Sequence, residues 1–172
     1  MDWPADLDPA SLEQPDGTSC GAAAALAARA LLTPWRPTHP GTEIAEEHQM
    51  LCSATSARER FQMPWPQALG TPPWAIANTL RVLTDRHIAT LVARPRPAIA
   101  YEVLWENVVD RPLAVYIGSR WLPRHVVLAF ASVGDAIRVF DPAGGELVTV
   151  PREHWQRHAV GVAGWDHLWF VV

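Results

Sequence analysis

Lysine is absent from this sequence: all fourteen basic side chains are arginine. A GC-rich coding sequence accounts for that, and so does a working life inside a foreign cell, where amines invite modification. Cysteine is nearly absent, with only Cys20 and Cys52. Two thiols do not make a disulfide framework. No apolar run approaches the roughly 18 residues of a membrane span, so no membrane partner is expected. The opening stretch, "MDWPADLDPASLEQ", lacks a basic segment followed by an apolar one, which excludes a standard secretory signal. The expected setting is a reducing cytoplasm, or export without such a signal. An excess of positive charge is missing too. The net charge is -4, which supplies no general basic field and argues against a nucleic-acid partner. Neither an internal repeat nor a low-complexity linker is present. With 172 residues and 49% apolar side chains, the chain can bury the core of one domain, 1–172.

Along the chain, residues 1–17 read as irregular and end in the turn signal Asp16-Gly17. The alanine-rich run 20–32 reads as a helix with Thr18 or Ser19 as its cap, stopped by Pro34. Residues 34–74 form a proline-rich, irregular insertion holding seven of the sixteen prolines. Within it, Ile44, His48, Leu51 and Cys52 fall at helical spacing. Thr71 as cap with Pro72 in the first position predicts another helix, which buries Ile76, Leu80 and Leu83. A short strand at 88–93 and a third helix at 98–110 follow. From there the pattern turns to strands: 112–118, 125–130, 137–141, 148–150 and a last one in "HLWFVV", with a short helix near "REHWQRH". Helices first and strands later predict an α+β fold built on an antiparallel sheet.

The chemistry centres on "QPDGTSCGAA". A thiol becomes a strong nucleophile as its thiolate. Unpaired N–H groups at a helix start favour negative charge, and Cys20 sits at such a start. Such a sulfur needs a base, and the base needs a partner to orient it. Of seven histidines, His125 stands at the mouth of the apolar strand "HVVLAF", after the turn "RWLPR". Asp141 ends the return strand, sixteen residues on.

Register decides whether those two meet. A minimal turn at Gly134-Asp135 pairs Val133 with Ala136 and leaves His125 and Asp141 on opposite faces. A five-residue loop over 131–135 would place them opposite each other. A shared site therefore requires a wider loop or a β-bulge. Gln14, just upstream, is a candidate amide donor to an oxyanion, beside the Cys20 N–H. Each residue also has a purely structural reading. Cys20 can be a small buried residue, His125 a polar strand end, Asp141 the cap of its own "DPAG" turn, and Gln14 an ordinary loop side chain.

Taken together, "Q-x5-C-G-A-A", "H-V-V-L" and "D-P-A" resemble the papain-like cysteine peptidases. The match is nearest to the group that processes bacteriocin leader peptides after a double glycine, and to its stand-alone relatives. The resemblance implies a papain-like α+β fold, with the nucleophile on the first helix and His and Asp on an antiparallel sheet. It implies Cys20 as nucleophile, His125 as general base, Asp141 as the residue orienting the imidazole, and Gln14 as oxyanion donor. The implied function is hydrolysis of a peptide bond in a peptide or protein substrate, with no cofactor and no metal. Three features depart from the family. Ser19 replaces the acidic residue often found before the cysteine, and the stretch between Cys20 and His125 is long. No membrane or ATPase segment is present up to Val172, which favours a free-standing enzyme.

The same triad would serve a deamidase or an acyl-transferring effector or toxin. A non-catalytic peptide-binding module is the alternative outside enzymes, although all four site residues are kept. Trp121, four residues before His125, is the candidate substrate-binding wall; Trp65, Trp74 and Trp105 are assigned to the core, and Trp3 and Trp35 to loops beside a peptide groove. His154 and His158 lie four apart but read as surface histidines rather than zinc ligands. Cys52 reads as buried.

Overall fold

The computed structural model describes residues 1–172. Its five α-helices are α1 (Cys20–Leu32), α2 (Pro40–Cys52), α3 (Pro73–Thr84), α4 (Pro97–Asn107) and α5 (Arg152–Gln156). Its six strands are β1 (Leu91–Val92), β2 (Leu113–Gly118), β3 (Pro123–Val133), β4 (Ala136–Asp141), β5 (Glu146–Pro151) and β6 (His167–Val171). They form one antiparallel sheet in the order β1-β6-β2-β3-β4-β5. The α+β class and the antiparallel sheet follow the sequence pattern.

Both faces of the sheet are covered. Ala114, Tyr116, Val126, Leu128 and Phe140 pack with α1 and its neighbours α2 and α3. Leu113, Val115, Ile117, Val127 and Val139 pack with Tyr101 and Leu104 of α4 and Trp155 of α5. This alternation is the two-residue period of a strand, and it explains why "LAVYIG" is apolar without interruption. Every residue of β2 is buried.

Helix α1 is buried nearly all round, with ten of its thirteen residues inside. Alanine suits this place: it favours helix and keeps the helix thin enough to lie against a sheet and two other helices. Gly21 carries the tightest approach. A Cβ added there would stand 2.5 Å from Thr71 Cβ, so only glycine admits the chain segment before α3.

Several boundaries differ from the sequence expectation. Helix α3 starts at Pro73, with Pro72 as its extended cap residue (φ -74°, ψ 145°). A residue before proline is kept out of the helical region, so Pro72 cannot begin the helix, and Thr71 is not its cap. Helix α4 stops at Asn107. The strand expected at 88–93 keeps only Leu91 and Val92 in the ladder. The insertion 34–74 is more regular than its prolines suggest, since α2 occupies 40–52 and a 3-10 turn occupies Gln67–Leu69. Gln62 ties the rest down. Its amide donates to the Leu51 and Ser53 carbonyls and accepts from Asn78.

Candidate active site

Asp16 builds the turn that delivers Cys20. Its Oδ1 accepts from the Thr18 N–H (2.7 Å), the Thr18 hydroxyl (2.8 Å) and the Ser19 N–H (3.0 Å). Burial works to raise the Asp16 carboxyl; the hydrogen bonds from Thr18 and Ser19 outweigh it and hold it below its usual value. Ser19 occupies the cap position of α1 without a side-chain capping bond. The N–H of Cys20, first in the helix, has no acceptor. It is one of the free donors that a helix start presents.

His125 and Asp141 meet. His125 Nε2 lies 2.6 Å from Asp141 Oδ1, with the residues only 4% and 3% exposed. The hairpin achieves this by the second of the two routes its register allowed. Its turn is minimal, since Val133 pairs with Ala136. A bulge then leaves Phe130 unpaired: Ala131 faces Arg138, but Ala129 faces Val139 and Leu128 faces Phe140. That one-residue slip brings Asp141 into line with Val127, two residues from His125 and on the same side of the strand. Phe130 is itself fully buried against Trp3, with ring centroids 5.6 Å apart. Asp141 Oδ1 also accepts from the Ala143 N–H at 2.9 Å. The same oxygen thus caps the turn and contacts the imidazole.

Cys20 completes the group from the helix side. Burial opposes the charged imidazole of His125. The hydrogen bond and charge of Asp141, with the nearby Cys20 sulfur, overcome that cost and raise it from 6.5 to about 9. With Nε2 committed to Asp141, Nδ1 is the ring nitrogen left for proton exchange. Cys52 differs. Burial alone raises its thiol, and its nearest polar contact is the Gly70 carbonyl at 3.6 Å.

A cleft of about 740 Å³ holds both Cys20 and His125. The insertion supplies Trp65, Leu69 and Thr71, the β2–β3 turn supplies Leu122, the start of β3 supplies Arg124, and β6 supplies Phe170. The insertion is anchored where it lines the cleft. The buried Tyr116 hydroxyl donates to the Thr71 carbonyl at 2.9 Å. Burial lifts this hydroxyl well above its ordinary value, so it stays a donor.

Two expected residues stand elsewhere. The Gln14 side-chain amide donates to the Asp16 carbonyl at 2.7 Å, and its Oε1 is enclosed without a partner. Its backbone N–H donates to the Pro142 carbonyl at 2.8 Å, which ties this loop to the turn after Asp141. Trp121 is 70% exposed, lies outside the cleft lining and carries the Arg120 guanidinium on its ring. The tryptophans of the cleft are Trp65 and Trp165. Trp65, expected in the core, lines the cleft because the insertion lies along the site. Trp3 belongs to the core instead, against Phe130 and Phe140. Arg124 and Thr71 were not anticipated. The only signal for Arg124 was its position beside His125.

No group of side chains in the structure has the makings of a metal site. His158 is held singly, with Nδ1 accepting from the Leu168 N–H and Nε2 facing the Arg94 carbonyl. No helix is long and apolar enough to cross a membrane. The chain matches no protein-family model and none of the curated proteins compared with it.

Proposed function

We propose that the protein is a papain-like cysteine peptidase that hydrolyses peptide bonds in a peptide or protein substrate. The observation that carries this reading is the buried 2.6 Å contact between His125 and Asp141, with Cys20 lining the same cleft as that imidazole. An imidazole held by a carboxylate beside a sulfur at a helix start is an arrangement suited to nucleophilic attack by the sulfur.

In the proposed reaction the Cys20 sulfur attacks the substrate carbonyl carbon and a tetrahedral oxyanion forms. The free Cys20 N–H donates to that oxygen. Gln14 is assigned as the second donor: one hydrogen of its amide holds the Asp16 carbonyl in this structure, and donating to the oxyanion requires the side chain, which does not line the cleft here, to turn toward Cys20. The C–N bond breaks as His125 gives its proton to the leaving amine, leaving a thioester. His125 then takes a proton from water, whose oxygen attacks the thioester, and the acid leaves as the sulfur is restored. Asp141 holds the ring in the orientation both steps need.

Alkylation with iodoacetamide at mildly acidic pH tests the nucleophile. The expected result is rapid, selective modification of Cys20 that disappears in His125→Ala, while Cys52 stays slow. Equal, sluggish modification of both cysteines would remove the proposal in favour of a binding module. Mass spectrometry of a peptide library then identifies the chemistry: paired fragments support a peptidase, and a one-dalton gain without cleavage indicates a deamidase.

A further inference from the structure

Arg124 stands immediately before His125 and lines the same cleft. Although the chain carries eighteen acidic residues, none pairs with Arg124, and its guanidinium makes no hydrogen bond. No aspartate or glutamate lines the cleft. Apart from the proposed catalytic pair Cys20 and His125, Arg124 is its only ionisable acid or base other than the buried Tyr116 hydroxyl. The remaining lining is apolar or hydroxylic. It includes two leucines that face solvent, Leu69 (66% exposed) and Leu122 (52% exposed), together with Trp65 and Phe170. Large apolar side chains left open around an unpaired cation are poor economy for a surface with nothing to bind. They fit a ligand that brings an apolar side chain and a negative charge together.

Building on the hydrolase reading, we propose that the cleft selects peptides carrying a carboxylate next to a bulky apolar residue, with Arg124 as the residue that reads the carboxylate. A guanidinium forms paired, parallel hydrogen bonds to a carboxylate, so it discriminates by geometry as well as by charge. The preference is local. The protein as a whole is negative, so its overall field does not attract an acidic peptide. The carboxylate can come from an Asp or Glu side chain or from the C-terminus of the peptide. Either is the same chemistry at Arg124.

The test uses one synthetic peptide library in two forms, with free and with amidated C-termini. Cleavage by the wild-type protein is read by mass spectrometry, and retention by the Cys20→Ser protein is read by equilibrium dialysis. Acidic residues beside Leu, Phe or Met should be enriched among both cleaved and retained peptides. Enrichment that survives amidation identifies a side-chain carboxylate; enrichment confined to free C-termini identifies the terminal one. Arg124→Glu should erase the enrichment. For the best acidic reporter it should raise KM about tenfold with kcat nearly unchanged, the signature of lost binding rather than lost chemistry.

A library read with no preference for carboxylate over its amide overturns the proposal, as does a preference that Arg124→Glu leaves intact. The dialysis arm separates the two readings. Retention of acidic, apolar peptides without any cleavage would remove the hydrolase and keep the recognition by Arg124. Cleavage without acid preference would do the reverse.

Discussion

His125 and Asp141 are joined through a hairpin that has the wrong register at its tip and the right one at its base. From Val133↔Ala136 to Ala131↔Arg138 the pairing would leave them on opposite faces; below Phe130 it places them on the same side. Their 2.6 Å contact therefore depends on a single unpaired residue well away from either. The chemistry proposed for the site rests on that contact, and it can be probed in several ways.

Activity should fall on the alkaline side near pH 9. Departure of the leaving amine needs a protonated His125, and this ring stays protonated up to about 9. Asp141→Asn keeps an oxygen that can accept from Ala143 and from the ring but loses the negative charge. The alkaline limb of kcat/KM should then move to lower pH, and the protein should lose stability at neutral pH as well, because part of the raised His125 value comes from that charge. A pH–rate profile of the two proteins checks this, and an unmoved limb would exclude His125 as its source.

Stability should decline in two separable steps as pH rises. Glu47 is pushed up by burial, against the lowering pull of Arg29, to about 7, so its neutral form favours the folded state and that advantage is lost between 4.5 and 7. His125 is raised from 6.5 to about 9; its contribution is complete below 6.5 and lost as pH passes through 9. Urea unfolding from pH 4.5 to 9.5 should show both. Glu47→Gln should flatten the lower step and His125→Gln the upper one.

Gly21→Ala should destabilise the protein by about 1–3 kcal/mol despite alanine's better helix propensity, because the new Cβ meets Thr71 Cβ at 2.5 Å. Thr71 lines the cleft, so KM should rise as well. Thr71→Gly in the same chain removes the obstruction and should recover part of both losses. Denaturation and kinetics on the two single variants and the double variant measure that coupling.

Gln14→Ala should lower kcat about 10²- to 10³-fold with KM little changed, the range seen when one oxyanion donor is lost. If Gln14 only braces the loop through Asp16, kcat would stay within a few fold and the melting temperature would drop instead. Steady-state kinetics with a thermal melt distinguishes the outcomes.

Trp65→Ala should weaken turnover of peptides, since Trp65 lines the cleft. Trp121→Ala should alter kcat/KM by less than about twofold, as expected for a side chain whose ring faces solvent and Arg120. The opposite ranking would return Trp121 to the substrate path.

Much of this arrangement could be read in the sequence. The alanine run points to α1, the apolar, β-prone runs to the strands, and the turn signal Gly134-Asp135 to the hairpin. The need for a bulge or a wider loop followed from parity alone. Which of the two occurs did not, because "AFASV" contains no glycine or proline to mark an extra residue. Successive prolines hid the start of α3, since the second governs the backbone of the first. The tryptophans could not be sorted by sequence position. Whether an indole meets the core, the cleft or water depends on how the insertion folds back across α1, and that is fixed by contacts such as Tyr116 with Thr71.

The strap running from Trp65 to Pro73 is held at its far end by the absent side chain of Gly21 and by a tyrosine rooted in the central strand. Such bracing resists widening of the cleft. On the peptidase reading proposed above, the polypeptide best suited to it is one already drawn out as a thread, a tail, linker or unwound end rather than the surface of a well-folded domain.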